Sequence, residues 1–264
     1  MMAYDFRLTR DRSQANVKYE FDFIGNSRLA IVPVLHRFAN GYRIIGTASY
    51  FIRPNIFLTV GHLFEGDDIQ PNDSFYLICE SSIDWPLEII EIIKHETLDL
   101  AFLVLENDGE QYFNDVNPLA VMNLPPLKNE IVAVFGYSHS LVNPEEAIEQ
   151  EGEFVQPMRI RSKWELGGVL DISENGRGNV NGQCFETSIL AEGRDSGAPM
   201  FNSNGFLVGL LSTSFNFETG LPNSTCVSVL NLSELTINGT PVKELWFKKN
   251  RAAYCKLKKN DDPE

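Results

Sequence analysis

Short apolar segments, rich in β-branched and aromatic residues, recur along most of the chain, and each one ends at Asn, Asp, Gly, Pro or Ser. Two of the breaks, Asn40-Gly41 and residues 202–205, carry strong signals for the tight turn of a β-hairpin. Segments of this length and composition are typical of β-strands. The pattern therefore predicts an all-β fold, either a sandwich or a pair of barrels.

The predicted strands fall into two groups. The first group lies at residues 29–35, 42–52, 56–60, 74–79, 87–93 and 100–105. The second lies at 131–135, 158–163, 168–172, 184–189, 200–201, 206–212 and 225–230. Between them, residues 106–130 are rich in Asn, Asp and Pro, which is typical of a connector between lobes.

This division predicts an N-terminal arm at 1–25, a first lobe at 26–117, a second lobe at 118–240, and a C-terminal helix and tail at 241–264. Apolar residues among many lysines predict an amphipathic helix at 242–257, packed on the second lobe. Its basic face is expected to be solvated, with docking of an acidic partner as the alternative. The acidic segment 138–156 is expected to be an excursion loop, with a short helix at 144–151 as the alternative.

Composition and charge exclude several functions. A chain of 264 residues with 43% hydrophobic content can bury a sizeable core. Its formal net charge of -14 argues against a nucleic-acid partner and against an anionic membrane surface. It has no apolar run of about 18 residues that could span a membrane. The first residues lack the basic head and apolar centre of an export signal, which predicts a cytoplasmic protein unless a leader has been removed.

The cysteines do not form a metal-binding pattern. They are widely spaced, with no C-x-x-C pair and no neighbouring histidine, at Cys79, Cys184, Cys226 and Cys255. We therefore predict neither a metal nor any other cofactor, and we expect buried or free thiols. A disulfide between Cys184 and Cys226 is the alternative.

Ser196 is the candidate nucleophile. It lies in the turn-forming segment 192–199, between two apolar segments, and the neighbouring glycines allow the tight backbone bend that would present its hydroxyl. Such a cluster is equally consistent with a plain surface turn. A serine hydroxyl becomes a good nucleophile only when a base takes its proton and a third group orients that base.

The histidines limit which base is available. The chain has four, all N-terminal to Ser196: His36, His62, His95 and His139. This order excludes the α/β-hydrolases, in which the histidine follows the serine. His95 and Glu96 begin the zinc-peptidase motif H-E-x-x-H, but Asp99 occupies its last position, so that motif also fails.

His62 and Asp99 are the candidate base and orienting acid. His62 closely follows the predicted strand 56–60, and Asp99 opens the apolar segment 100–105. A buried carboxylate costs several kcal/mol unless it is paired. An imidazole N–H would pair with it and would leave the other ring nitrogen free to accept the Ser196 proton. The alternatives are a core histidine and a turn or capping aspartate.

Five segments, in this order, resemble the signature blocks of the trypsin/chymotrypsin-like serine peptidases. They are residues 46–52, 58–62, 98–101, 193–199 and 209–212, and the order His, Asp, Ser is also that family's order. The resemblance covers roughly residues 26–232. It implies two six-stranded Greek-key β-barrels, packed side by side with the site in the cleft between them, and suggests an intracellular, bacterial-type member.

The resemblance also implies a reaction. A serine endopeptidase of this type cleaves a protein or peptide substrate through an acyl-enzyme, with Ser196 as nucleophile, His62 as base and Asp99 as orienting acid. The backbone N–H groups of Arg194 and Ser196 would hold the oxyanion. The family normally has glycine where this chain has Arg194, so the alternative is a catalytically inactive protease-fold binding module.

The resemblance further implies which residues bind substrate. Counted from the serine, the lining residues are Leu190, Ala191, Glu192, Ser212, Thr213 and Ser214, with Ser224 or Thr225 opposite. No acid stands where trypsins have theirs, which predicts a small or apolar residue before the cut. Glu192 is the alternative source of charge for a basic residue.

We expect the partner of Asp195 to differ from that of the equivalent aspartate in the secreted digestive members. In those enzymes the equivalent aspartate pairs with an amino terminus freed by cleavage. This chain has no clear activation sequence. We therefore expect Asp195 to find another partner, such as an arginine, and activity to be constitutive or controlled by a regulatory protein partner.

Overall fold

The structure, a computed structural model, describes residues 5–10, 19–24, 29–38, 41–66, 69–70, 73–79, 86–106, 113, 116–122, 125–142, 148–150, 153–155, 158–215, 223–228, 235–237, 239–245 and 249. Strands β1 (Asp5–Arg10) and β2 (Tyr19–Ile24) form an antiparallel hairpin. The segment predicted only as an N-terminal arm therefore contains regular structure.

The first barrel is closed by six antiparallel strands. They are β3 (Ile31–Phe38), β4 (Gly41–Ile52), β5 (Ile56–Thr59), β6 (Ser74–Leu77), β7 (Leu87–Lys94) and β8 (Ala101–Leu105). Their order around the barrel is β3-β4-β5-β8-β7-β6, in which the return from β5 to β8 is the Greek-key crossing. The strand that ends just before His62 therefore lies beside the strand that begins just after Asp99.

After β9 (Ile131–Gly136), the first strand of the second barrel, come four short strands. They are β10 (Leu141–Val142), β11 (Ile148–Gln150), β12 (Glu153–Val155) and β13 (Met158–Arg159). β11 and β12 pair as a hairpin, with Ile148 opposite Val155, and β10 pairs with β13. The alternative of a helix at 144–151 is therefore wrong at residues 148–150, because strand pairing satisfies their backbone instead.

The second barrel is closed by β9 and five later strands. These are β14 (Lys163–Ser173), β15 (Cys184–Thr187), β16 (Pro199–Asn202), β17 (Leu207–Phe215) and β18 (Asn223–Ser228). The order β14-β15-β18-β17-β16-β9 is the same cyclic order, counted from the first strand of each barrel, as in the first barrel. Both predicted Greek-key barrels are thus present, and the exact lobe boundary at 117/118 stays a prediction.

The C-terminal region continues with two short paired strands, β19 (Thr236–Ile237) and β20 (Thr240–Pro241). A short helix begins directly after them, at residues 242–245, and Lys249 is also helical. Val242 is buried and Leu245 packs on the core, as expected for an amphipathic helix. Most of the predicted helix at 242–257 lies outside the described residues. Within the described part of the chain, no helix is long or apolar enough to cross a lipid bilayer.

The two barrels share a hydrophobic core. Phe135, Tyr137 and Phe201 of the second half belong to the same buried cluster as the first barrel's aromatic residues. The Tyr137 hydroxyl donates a buried hydrogen bond of 2.6 Å to the Ile31 carbonyl on β3. This packing holds the barrels together and sets the position of the cleft between them.

Cys184 and Cys226 lie on neighbouring strands but on opposite faces of the sheet. Cys184 is paired with Val227, and Phe185 is paired with Cys226, so the two cysteines alternate across the sheet. Both are buried free thiols, as is Cys79. Thiols that point to opposite faces cannot be bridged, so the alternative of a Cys184–Cys226 disulfide is wrong. Burial raises the pKa of the Cys184 thiol to about 11 and that of Cys226 further still.

Candidate active site

His62 is presented by a short turn at the end of β5. The 3₁₀ turn Gly61–Phe64 follows the strand, and Leu63 and Phe64 are buried within it. The His62 side chain, between the buried Gly61 and Leu63, is 41% exposed. Burial of its two neighbours fixes the turn and leaves the imidazole facing the solvent.

Asp99 ends a tight bend between β7 and β8 that is shaped by another histidine. The His95 Nδ1 atom accepts hydrogen bonds from the backbone N–H groups of Thr97, at 3.1 Å, and Leu98, at 2.9 Å. The backbone N–H of His95 in turn donates to the Leu100 carbonyl at 2.9 Å. The segment that looked like part of a zinc motif is therefore a bend that positions Asp99.

His62 and Asp99 form a doubly hydrogen-bonded pair. Asp99 Oδ2 lies 2.8 Å from His62 Nδ1, and Oδ1 accepts the His62 backbone N–H at 2.9 Å. The Ser212 hydroxyl on β17 donates a short hydrogen bond to Oδ2. Burial raises the pKa of Asp99, but the hydrogen bonds from His62 and Ser212 outweigh burial, so its pKa lies below the usual range. An ionised Asp99 requires the proton on His62 Nδ1 and leaves Nε2 as an acceptor.

Ser196 lies where two consecutive turns meet. The Asp195 N–H donates to the Glu192 carbonyl at 3.1 Å, and the Ala198 N–H donates to the Asp195 carbonyl at 2.8 Å. In each turn the third residue has a positive φ, 83° at Arg194 and 83° at Gly197, as in type II turns. The serine is thus the first central residue of the second turn.

The serine turn is attached to both barrels. The Ser196 carbonyl accepts the Thr47 N–H of β4 at 2.9 Å, and the Gly197 N–H donates to the Leu211 carbonyl of β17 at 2.7 Å. Any side chain at Gly197 would overlap the carbonyl oxygen of Thr47 and the hydroxyl of Thr59. Glycine is therefore required at this position both by φ and by the close approach of the first barrel.

Arg194 occupies a conformation that glycine adopts most easily. A left-handed conformation costs a non-glycine residue roughly 1–2 kcal/mol. The Arg194 guanidinium donates to the Ser140 carbonyl and its own carbonyl accepts from the Thr47 hydroxyl at 3.4 Å, which hold this conformation. Within the described residues, the backbone N–H groups of Arg194 and Ser196 have no acceptor. They are the two donors that the sequence predicts for an oxyanion hole.

Ser212 links the serine to the histidine–aspartate pair. The Ser196 hydroxyl donates to the Ser212 carbonyl at 3.5 Å, while the Ser212 hydroxyl donates to Asp99. Among the described side chains, the structure has no hydrogen bond between Ser196 and His62. The three predicted residues are therefore gathered around one residue of β17, with the serine hydroxyl directed to a backbone carbonyl.

A cleft of about 500 Å³ borders the His62–Asp99 pair and Ser212, whereas Ser196 is not among its lining residues. Its walls combine the bend before Asp99, the loop at 179–181 and the β17 residues Ser212 and Thr213. His62 and Asp99 face the same space. The cleft is large enough for several side chains of an extended peptide.

The residues predicted to bind substrate are placed differently from one another. Leu190 is 50% exposed, Ala191 is buried, and Glu192 is exposed. Thr213 lines the cleft, whereas the Ser212 side chain contacts Asp99 and is not a free pocket wall. The side chain of Ser214 lies outside the described residues.

The residues predicted to form the wall opposite β17 belong to a hydrogen-bonded group of hydroxyl residues. The Ser224 hydroxyl donates to the Ile189 carbonyl at 2.8 Å and lies 3.1 Å from the Thr187 hydroxyl. Thr225, the other residue predicted there, is also buried. These contacts secure the backbone that leads into the serine turn.

Asp195 pairs with a lysine. Its Oδ2 atom lies 3.5 Å from the Nζ atom of Lys163 on β14. The expectation of an arginine is therefore wrong. The neighbouring Arg194 points its guanidinium to Ser140 instead. The Lys163 ammonium also pairs with Glu192 at 3.1 Å, so Glu192 already has a cationic partner.

The arrangement offers no obvious place for a metal. Among the described residues, no group of three or more His, Cys, Asp or Glu side chains is close enough together to hold a metal ion. The groups that the site does present are the histidine, the carboxylate, the hydroxyl and the backbone N–H groups.

Fold and site together define a class of protein. Two Greek-key barrels with a histidine–carboxylate pair on the first, a serine turn from the second and a cleft between them are the architecture of a chymotrypsin-like protease. The sequence matches the family described as trypsin-like peptidase domain over residues 46–210, which is more than half of the chain. The chain belongs to that family.

Solved structures with the same fold come from distant organisms. The active form of the Rv3671c protease from M. tuberculosis is 15% identical, with a TM-score of 0.51, and the match covers 77% of each chain. Mouse neuropsin, a serine protease expressed in the limbic system of the brain, is 14% identical, with a TM-score of 0.53, and the match covers 80% of this chain and 94% of neuropsin. A comparison with curated proteins returns no match. At these identities the likeness concerns the fold.

Proposed function

We propose that this chain is a serine endopeptidase that cleaves a protein substrate through an acyl-enzyme. The observation that carries the proposal is the pairing of His62 with an ionised Asp99, beside a serine turn whose two backbone N–H groups are unpaired among the described residues. Acyl transfer to serine requires a base in the correct tautomer, a nearby hydroxyl and two free hydrogen-bond donors.

In the proposed mechanism, substrate binding turns the Ser196 hydroxyl from the Ser212 carbonyl toward His62 Nε2. Catalytic hydrogen bonds are often long or misdirected in the free enzyme and shorten in the complex. His62 then accepts the hydroxyl proton as Ser196 attacks the carbonyl carbon, and later returns it to the leaving amine. Asp99 stabilises the imidazolium, and the N–H groups of Arg194 and Ser196 bind the oxyanion.

For the residue before the cut we propose a small or apolar side chain. Thr187, Ser224 and Thr225 are buried and uncharged, and Glu192 is already paired with Lys163. A buried cationic side chain without a free carboxylate partner would be costly. A peptide-library cleavage profile tests this, and a preference for Lys or Arg would contradict it. The cytoplasmic location and a regulatory partner stay predictions.

Labelling with a fluorophosphonate probe tests the proposed reaction. We expect the wild type to be labelled at Ser196, Ser196→Ala to be unlabelled, and His62→Ala to react far more slowly because no base activates the hydroxyl. Ser49→Ala, which removes another buried serine hydroxyl, should be labelled like the wild type. A folded wild type without labelling would instead support the binding module with a protease fold.

A further inference from the structure

Asp195 is a deeply buried carboxylate next to the candidate nucleophile. It is 2% exposed. Its Oδ1 atom accepts the Ser138 N–H at 3.3 Å and its Oδ2 atom accepts the Glu192 N–H at 3.1 Å. A side chain on Gly136 would overlap Oδ1, so strand β9 packs directly on the carboxylate. A charge buried to this degree costs several kcal/mol unless a cation compensates it.

Lys163 supplies that cation. It is the first residue of β14, where it pairs with Gly136 across the sheet, and its side chain is 9% exposed. Its Nζ atom lies 3.5 Å from Asp195, 3.1 Å from Glu192 and 3.1 Å from Glu165. Among the residues that the structure describes, it is the cation within ion-pair distance of Asp195.

The position of Asp195 governs both ends of the serine turn. Its N–H closes the first turn on the Glu192 carbonyl, and its own carbonyl closes the second turn on the Ala198 N–H. Arg194 lies inside the first turn and Ser196 inside the second. The Asp195 side chain is anchored between β9 and β14, so it holds the backbone on both sides of Asp195.

We propose that Lys163 is a positioning residue that holds Asp195, and through it the Arg194 and Ser196 N–H groups, in the substrate-binding geometry without a newly formed amino terminus. This inference rests on the proposed peptidase function. In this arrangement the charge that pairs with Asp195 is carried permanently on β14, and no cleavage near the N-terminus is needed to supply it.

The charges around Lys163 predict how the Lys163–Asp195 ion pair responds to pH. Burial lowers the pKa of Lys163, but Glu192, Glu165 and Asp195 outweigh burial and raise its pKa above the ordinary 10.5. Glu192 is also 3.6 Å from His139 Nε2. Because the folded pKa of Lys163 is raised, the ion pair is complete below the ordinary value and is lost only as the pH rises through the folded value.

Three variants test the role of Lys163 in the full chain. We expect Lys163→Met to lower kcat about 10²–10³-fold, as loss of one oxyanion donor does, with a smaller change in KM. Lys163→Arg keeps the charge and should recover activity to within about tenfold. Lys128→Met removes an exposed lysine, paired with Asp171 at 3.3 Å on the same barrel, and should match the wild type. Thermal unfolding of each variant shows whether it is folded.

The wild type gives a second measurement that needs no variant. With a tag left on the amino terminus, we expect fluorophosphonate labelling to hold from pH 8 to about 10 and to fall only above the ordinary lysine pKa. A midpoint near 8, the range of an α-amino group, would overturn the proposal. So would labelling that appears only after trimming near Ile24, or a folded Lys163→Met as active as Lys128→Met. A wild type never labelled in any form would refute the peptidase function instead.

Discussion

Replacing Ser212 by alanine tests how much the β17 hydroxyl contributes to the site. The Asp99 side chain is 14% exposed, and its carboxylate accepts hydrogen bonds from the His62 N–H, His62 Nδ1 and the Ser212 hydroxyl. A hydrogen bond to a charged group contributes about 1.5–3 kcal/mol. We expect Ser212→Ala to lower the free energy of unfolding by about that amount at pH 7. We also expect kcat to fall about tenfold, which corresponds to about 1.4 kcal/mol in the barrier, because His62 is held less firmly.

The pH dependence of this stability loss identifies its cause. The folded pKa of Asp99 lies below its unfolded value, so its ionisation contributes stability above the unfolded pKa of about 3.9. That contribution is lost as the pH falls through the folded pKa. Ser212→Ala removes one of the donors that lower this pKa. The difference in unfolding free energy between wild type and variant should therefore be largest at pH 7 and should shrink as the pH falls through the folded pKa of Asp99.

Ser49→Ala is the matched control. The Ser49 hydroxyl is also buried but has no hydrogen-bond partner among the described residues, so its removal should be neutral or stabilising. Urea unfolding followed by tryptophan fluorescence at pH 7 and pH 3 gives the free energies, and ester hydrolysis gives kcat. An equal stability loss in both variants, or a Ser212→Ala loss independent of pH, would refute the reasoning.

Three further substitutions or treatments have defined outcomes. Asp99→Asn should lower kcat about 10⁴-fold with little change in KM, measured by ester hydrolysis, because the amide stabilises the wrong imidazole tautomer; a loss under tenfold would contradict the proposed role. Gly197→Ala should lower the Tm clearly, since the new methyl group overlaps the first barrel at a positive φ, whereas Gly168→Ala, where a Cβ meets nothing within 4 Å, should not. Reducing agent should leave activity and Tm unchanged, and thiol reagents should not reach Cys184 or Cys226 at pH 8 until the chain is unfolded; fast labelling of either in the folded protein would oppose their burial.

The fold was predictable because most barrel strands carry their own signal. Short apolar segments and turn residues mark these strands, including the hairpin turn at Asn40-Gly41. Strand β14 (Lys163–Ser173) is one strand, whereas the sequence predicted separate strands at 158–163 and 168–172.

Three candidate site residues were also recognisable: His62, Asp99 and Ser196. Each lies where a predicted strand meets a turn, and a polar side chain beside a buried strand needs a hydrogen-bond or ion-pair partner. The local sequence pattern thus located most of the strands and the candidate residues at their ends.

The contacts that hold the site were not predictable in this way. The partner of Asp195 is Lys163, the first residue of β14, whose nearness to Asp195 becomes evident only when β14 is paired with β9. Ser212 was assigned to a pocket wall, because nothing local indicates that its hydroxyl reaches a carboxylate of the other barrel. Both contacts depend on strand register, which a single strand does not specify. The strand at 148–150 was missed because its acidic residues carry little β propensity.

Strand β17 connects the two halves of the site. Its Leu211 carbonyl holds Gly197 of the serine turn, and its next residue, Ser212, bonds Asp99 on the first barrel and the hydroxyl of Ser196. A small shift of one barrel against the other would therefore change the Asp99 contact and the Ser196 contact together. The barrel interface, with its buried bond from Tyr137 to β3, consequently determines the geometry of the site as much as the loops that carry the residues. A substitution at Tyr137 should therefore alter kcat, although Tyr137 is not among the residues that line the cleft.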